Sequence, residues 1–126
     1  MNITGPTFIA LQVSDLGRAA SFYQSRLGLT PTPTSPPHAV VFATQPVPFA
    51  VREPVPGFDP ASAHPAPGAG VVLWLEVDDA DAAHEELVAA GVPIVAAPAL
   101  SPFGRMFTFR DPDGYAVTLH SRAGAE

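Results

Sequence analysis

One pattern occurs twice in this chain: an apolar strand, an Asp, a helix of about ten residues and a Gly. Val13 and Asp15, at the end of the first copy's strand, recur as Val77 and Asp79 at a shift of 64 residues. Ser or Asp at such a position caps a helix N-terminus, and Gly suits the left-handed residue that ends it. Since one such unit cannot cover both faces of its own sheet, two copies are expected to pack as a single domain.

The two copies define two modules, at about 5–53 and about 71–121, within a single domain spanning 1–126. Module one is expected to contain strands at 7–13, 38–44 and 47–52, a helix at 16–26, and a proline-broken edge strand and loop at 31–37. Module two is expected to contain a strand at 71–77, a helix at 80–90, a short strand near 93–96 and a final hairpin over 105–120. Residues 54–70, rich in Pro, Gly and Ala, are expected to form a linker or flexible flap.

The final hairpin turns at Asp111-Pro112-Asp113-Gly114. In this sequence Pro fixes one backbone dihedral, Asp caps the turn and Gly takes the positive-φ position. The inward side chains of its two strands are expected to face one cavity.

Composition excludes several classes of function. Apolar residues make up 47% of the chain and charged residues 14%, which is typical of a compact globular domain. The chain has no Cys, so disulfides, thiol catalysis and thiolate metal sites are excluded. A formal charge of −6 argues against nucleic-acid binding and leaves room for a cationic or neutral ligand. No membrane-spanning run or secretory leader is evident, so a cytoplasmic location is predicted.

Two segments carry a resemblance to a known family. Residues 13–29 and the stretch Phe107-Thr-Phe-Arg-Asp-Pro-Asp-Gly-Tyr115 resemble the vicinal oxygen chelate superfamily. That superfamily includes glyoxalase I, extradiol dioxygenases, fosfomycin resistance enzymes and bleomycin resistance proteins. The resemblance implies an α+β fold in which two βαβββ modules form a curled mixed sheet around a shared cavity, commonly in a homodimer.

Strand alternation assigns side chains to the two faces of each sheet. On the first strand Ile9, Leu11 and Val13 are expected to face the core. The side chains expected to face the cavity are Phe8, Ala10, Gln12, Val72, Trp74, Glu76, Ala116, Thr118 and His120.

The resemblance also implies where a metal would bind. Metal-dependent members carry His or Gln on the first strand, usually His on its repeat, and Glu on the last strand. These positions fall on Phe8, Val72 and Thr118, and neither Phe nor Val has a donor atom, whereas a Thr hydroxyl is a poor ligand for a first-row divalent ion. The strand of a possible fourth ligand offers only Phe49, Val51 and, at its end, Glu53. A metal site is therefore predicted to be absent.

The leading hypothesis is a small-molecule-binding protein without a cofactor, similar to the bleomycin resistance proteins and sequestering a planar antibiotic or toxic compound at a dimer interface. The proposed ligand-binding residues are Phe8, Gln12, Phe49, Trp74, Phe103, Arg105 and Thr118. The aromatic groups would stack on a small hydrophobic or aromatic ligand, or they merely fill the space that a metal would occupy. Arg105 would contact an anionic or carbonyl group, or pair with a surface Asp.

The alternative is a metal-dependent lyase, isomerase or dioxygenase-like enzyme of the same fold. It would require a divalent ion on atypical ligands, for example Glu53, Glu76 and His120. Glu76 and His120 would otherwise serve as a base and an acid, or simply be solvated at the strand ends. A third hypothesis is a degenerate domain with a structural or regulatory partner.

Overall fold

The computed structural model describes residues 1–122, which form an α+β structure with two helices and two sheets. The chain divides into two compact units, Met1–Ser62 and a second that begins at Ala63. Each unit contains one copy of the repeated pattern. Within residues 1–122 no helix is long and apolar enough to cross a membrane.

The first unit is a three-stranded sheet with one helix. Its elements are β1 (Ile9–Gln12), α1 (Leu16–Ser25), β2 (Ala39–Phe42), β3 (Phe49–Arg52) and a single 3-10 turn at Pro60–Ser62. The strand order is β1-β3-β2, with β1 parallel and β2 antiparallel to β3.

Aromatic rings form the core between α1 and this sheet. The Tyr23 ring lies 5.0 Å from that of Phe49 and 6.3 Å from that of Phe42, centroid to centroid. Val13 and Ala19 are fully buried beside them. The predicted core face of the first strand is confirmed, since Val13 is buried and Ile9 and Leu11 are half-buried whereas Phe8 and Ala10 are exposed.

The edge strand predicted at 31–37 is reduced to one bridge between Pro31 and Phe42. Thr32 N–H still donates to the Val41 carbonyl at 2.8 Å. Pro has no N–H to continue such a ladder, so four prolines in seven residues stop the strand after this bridge.

The second unit is a complete βαβββ module. Its elements are β4 (Leu73–Glu76), α2 (Ala80–Ala89), β5 (Ile94–Ser101), β6 (Gly104–Arg110) and β7 (Ala116–His120). The strand order is β4-β7-β6-β5, with only the β4–β7 pair parallel. The fifth strand is longer than predicted, and two register shifts along it interrupt the alternation that would have revealed it in the sequence.

The residues that begin and end the two helices confirm the repeat predicted from the sequence. Asp15 Oδ1 accepts from Arg18 N–H and Asp79 Oδ1 from Ala82 N–H, each at 3.0 Å. The glycines that follow the two helices, at 28 and 91, have φ values of 71° and 78°. In the hairpin turn, Asp111 Oδ1 accepts from the N–H groups of Asp113 and Tyr115 at 2.9 and 3.0 Å, as expected of a capping Asp.

The segment 54–70, predicted to be a linker or flexible flap, contains the boundary between the two units, as a linker would, but it is folded rather than a flap. Pro60 and Pro67 are buried, and Val71 N–H donates to the Gly68 carbonyl at 2.9 Å. Gly68, at φ +70°, packs so closely on the Tyr115 ring that a Cβ atom there would lie 2.8 Å from Cδ1. A composition rich in Pro, Gly and Ala indicated flexibility, but here it allows the backbone to approach a ring.

Candidate ligand-binding site

In the second unit the strand register determines which side chains lie on the face of the sheet that points away from α2. Val117 and Leu119 of β7 are buried on the helix side with Phe107 and Phe109 of β6. The residues that alternate with them along β6 and β7 therefore point to the other face. There Thr118 pairs with Trp74 of β4 on one side and with Thr108 of β6 on the other.

This face forms one wall of a cavity of about 360 Å³. The opposite wall is the folded segment 65–69, which we call the wall segment. The cavity is also lined by Val71 and Val72, which precede β4, and by the sheet residues Leu73, Thr108, Arg110, Ala116 and Thr118. None of the Asp and Glu side chains of residues 1–122 lines it, and the polar groups described there are hydroxyls, backbone groups and one guanidinium.

Two threonines supply the hydroxyls. The Oγ1 atoms of Thr108 and Thr118 lie 2.7 Å apart, so one hydroxyl donates to the other. Thr118 is buried, and the predicted position of its side chain on the cavity face is confirmed. The hydroxyl that accepts in this pair keeps its own proton available to a ligand.

Arg110 supplies the guanidinium. Its Nη1 donates to the Gly114 carbonyl at 2.8 Å, which anchors the side chain against the hairpin turn. Neither Thr108 nor Arg110 was among the residues predicted from the sequence. The alternation that placed Thr118 on this face, continued from Phe107 and Phe109 along the partner strand, would have identified both.

An aromatic cluster of Trp74, Phe103 and His120 belongs to the same unit. The Trp74 ring meets the Phe103 ring edge-on at 5.9 Å and the His120 ring at 5.2 Å, centroid to centroid. His120 Nδ1 lies 3.1 Å from the Phe103 carbonyl oxygen, which can only accept, so Nδ1 is the donor. Phe103 remains 64% exposed, so the cluster presents an aromatic surface.

Arg105, predicted to orient a ligand, lies on the other face of the sheet. It has the same strand parity as Phe107 and Phe109, and its Nη2 and Nε contact the Asp81 carboxylate of α2 at 2.9 and 3.2 Å. This hydrogen-bonded pair lowers the pKa of Asp81 and raises that of Arg105. The alternative that the sequence left open, a pairing with a surface Asp, is therefore the one observed.

A second cavity, of about 300 Å³, lies in the first unit. Phe8, Ala10, Ala50 and Arg52 contribute to its lining, together with residues of 36–41. Phe8 lines this cavity and is 50% exposed, whereas Thr118, predicted to share a cavity with it, lines the cavity of the second unit.

Two other residues of this unit were predicted to contact a ligand, but their side chains make structural contacts outside the cavity. Phe49 pairs in register with Ile9, is only 2% exposed and packs on Tyr23, so its assignment to the cavity was wrong by one residue of alternation. Gln12 does not line the cavity, and its Oε1 accepts from Val55 N–H at 2.8 Å, tying down the chain that follows β3.

The sequence profile of the Glyoxalase/Bleomycin resistance protein/Dioxygenase superfamily matches residues 5–119. The chain belongs to this superfamily. The comparison with curated proteins found no match.

Several solved structures are similar over nearly the whole chain. TnmS3, an antibiotic binding protein from Streptomyces sp. CB03234, is 26% identical with a TM-score of 0.74, covering 98% of this chain and 99% of its own. A glyoxalase/bleomycin resistance protein from the same organism is 26% identical with a TM-score of 0.70, covering 92% and 99%. Lactoylglutathione lyase from Agrobacterium tumefaciens is 22% identical with a TM-score of 0.69, covering 99% and 97%.

The metal of the superfamily's enzymes does not fit the residues at the positions assigned to its ligands. The side chains of Phe8 and Val72 contain no atom that can coordinate a metal, and the Thr118 hydroxyl is hydrogen-bonded to that of Thr108. The register also corrects the fourth position. Ala10 and Trp74 occupy equivalent positions in the two copies of the repeat. Ala10 pairs with Ala50 of β3, and Trp74 pairs with Thr118 of β7. Ala50 is therefore the equivalent of Thr118, and its side chain has no donor atom either.

Two of the atypical ligands considered from the sequence have partners within their own units. Glu76 Oε1 accepts from Arg122 Nη2 at 3.0 Å, and Glu53 Oε1 lies 3.2 Å from His38 Nδ1 in the first unit. Among residues 1–122 no three His, Cys, Asp or Glu side chains are grouped so as to hold a metal ion.

Proposed function

We propose that this protein binds a small planar molecule without a metal and sequesters it, as a protein that neutralises an antibiotic or another toxic compound would. The observation that carries the proposal is the replacement of metal donors by carbon at Phe8, Ala50 and Val72. These residues cannot chelate a metal, but each offers apolar or aromatic surface within its own unit, which is what binding a planar compound requires.

The aromatic cluster supports the same function. Trp74 has its ring edge-on to Phe103, and Phe103 is largely exposed. An aromatic ligand that met the exposed Phe103 ring would gain ring contacts, and one that covered Val72 in the cavity, which is 78% exposed, would remove apolar surface from water.

The likeness to TnmS3 also favours this proposal, since that protein is described as antibiotic binding and covers almost the same length. The lactoylglutathione lyase, at 22% identity, indicates only the shared fold. A metal-dependent reaction would need donors that the described part of the chain does not bring together. A homodimer and a cytoplasmic location remain predictions.

Titration with a panel of planar aromatic compounds tests the proposal. Trp74 is the only Trp and is the strand neighbour of the cavity residue Thr118, so its fluorescence reports binding next to it, and calorimetry gives the affinity. For a compound that binds, Val72→Ala should weaken affinity about tenfold, because two buried methyl groups contribute roughly 1.5 kcal/mol.

The matched control is Val88→Ala, which removes the same atoms from a 51% exposed position on α2. Its affinity should equal that of the wild type. Equal affinities for both variants and the wild type would place the ligand elsewhere, and no binding across the panel would refute the proposed function.

A further inference from the structure

The cavity of the second unit contains a cation without a carboxylate partner. Arg110 lines the cavity and is half-buried, and its described hydrogen bond goes to the Gly114 carbonyl. Arg105 and Arg122 are paired with Asp81 and Glu76, whereas no carboxylate among residues 1–122 pairs with Arg110. A guanidinium has five N–H donors, so most of them remain available.

The neighbouring groups are also donors. The Thr108–Thr118 pair has one hydroxyl proton that is not used within the pair, because only one of the two can serve as the bridge. The nearest acid in sequence, Asp111, is buried and accepts two backbone N–H groups, so its charge is already compensated by hydrogen bonds. The polar side chains that line the cavity therefore offer N–H and O–H donors and no carboxylate.

From this arrangement we infer that the cavity selects a ligand with a negatively charged oxygen group, such as a carboxylate or phenolate, which Arg110 binds while Thr108 or Thr118 donates a further hydrogen bond. The inference rests on the proposed function and specifies the ligand class. Charge-assisted bonds from a planar guanidinium to such a group are short, often bidentate and among the stronger hydrogen bonds in proteins.

The volume of the cavity and the charge of the protein further restrict the class of ligand. A cavity of about 360 Å³ lies near the lower end of the 300–1,000 Å³ typical of small-molecule sites, which suits a compound of two or three fused rings. The net charge of −6 favours a cation only at long range. At physiological salt the Debye length is about 8 Å, so the local guanidinium determines the preference inside the cavity.

The test uses two probes of one shape, 2-naphthoate and the neutral 2-naphthamide, titrated calorimetrically into the full chain. The wild type should bind 2-naphthoate about tenfold more tightly, the size expected for one charged hydrogen-bonding group. Arg110→Gln should abolish this preference, so that the two probes bind with equal affinity. Arg110→Lys, which retains the charge but not the planar fork, should keep part of it.

Arg105→Gln is the matched control, because it removes the same side chain from the same strand on the opposite face. The preference for 2-naphthoate should survive in this variant. If Arg110→Gln fails to fold, the Arg110→Lys variant decides the question, since an unchanged preference there would refute bidentate binding.

The two proposals fail differently. Equal binding of both probes to the wild type, weakened by Val72→Ala, would overturn the preference for an anion and leave the proposed function standing. The preference for an anion is likewise overturned if neutral or cationic planar compounds bind and neither naphthalene probe does. No binding by any planar compound would overturn both.

Discussion

Substitution of Gly68 by Ala tests the packing of the wall segment against the Tyr115 ring. The added Cβ would lie 2.8 Å from Tyr115 Cδ1 and 3.1 Å from Cε1, well inside the usual contact distance between carbon atoms. The Tyr115 ring is only 8% exposed, so it has little room to withdraw. Overpacking of this kind costs about 1–3 kcal/mol.

The backbone adds a second penalty. Gly68 has φ +70°, and an L-residue with a Cβ atom pays about 1–2 kcal/mol in that region. The two effects together predict a loss of about 2–5 kcal/mol of unfolding free energy. For a chain of this length the midpoint of thermal unfolding should fall by roughly 10 °C, measurable by circular dichroism and by urea titration.

Two glycines of the same region of the sequence separate the contributions. Gly57 has φ +91° with no atom within 4 Å of the position that an added methyl group would take, so Gly57→Ala should show the backbone penalty alone. Gly70 has neither a positive φ nor a neighbour within 4 Å, so Gly70→Ala should change stability by no more than about 0.5 kcal/mol. If Gly68→Ala were no worse than Gly57→Ala, the wall segment would not be packed on Tyr115.

Two further predictions concern polar pairs of the second unit. Because Arg105 lowers the pKa of Asp81 below its ordinary value of 3.8, the pair stabilises the fold above that pH and the contribution is lost as pH falls through the lowered pKa. Asp81→Asn should therefore lower the melting temperature at pH 7, the difference from the wild type should vanish in acid, and a difference that persisted at pH 2 would contradict this reasoning. Thr118→Val should cost about 1 kcal/mol in urea titrations by removing the bond to Thr108, whereas the double variant with Thr108→Val should recover most of it; a double variant less stable than either single one would refute the pairing.

The sequence predicted the fold because its signals were local and repeated. A capping Asp, a helix of three turns and a terminal Gly each depend on residues within a few positions, and their recurrence at a fixed shift identified two modules. Face assignment by alternation also succeeded at β1, where Gln12 is polar, and at β7, where Thr118 and His120 are polar. In those strands only one face is continuously apolar.

At β3 the polar residue Arg52 marks the face that it shares with Ala50. Alternation therefore places Ala50 on the cavity face and Phe49 in the core, in agreement with the register with β1 and the packing of Phe49 on Tyr23. The prediction for Phe49 was wrong because it did not take Arg52 into account. The pairing of Arg105 could not be predicted from alternation, since its partner Asp81 lies 24 residues away on another element.

The wall segment makes the cavity unusually easy to reshape during evolution or by design. It is built of Pro, Ala and Gly, so its side chains are short and the outline of this wall follows the backbone. Replacing Ala66 or Ala69 with Ser, Val or Leu would change the available volume in small steps without altering a residue of the sheet. Variation at these two positions should therefore tune which ring systems are admitted, while the sheet continues to determine the polar group that is recognised.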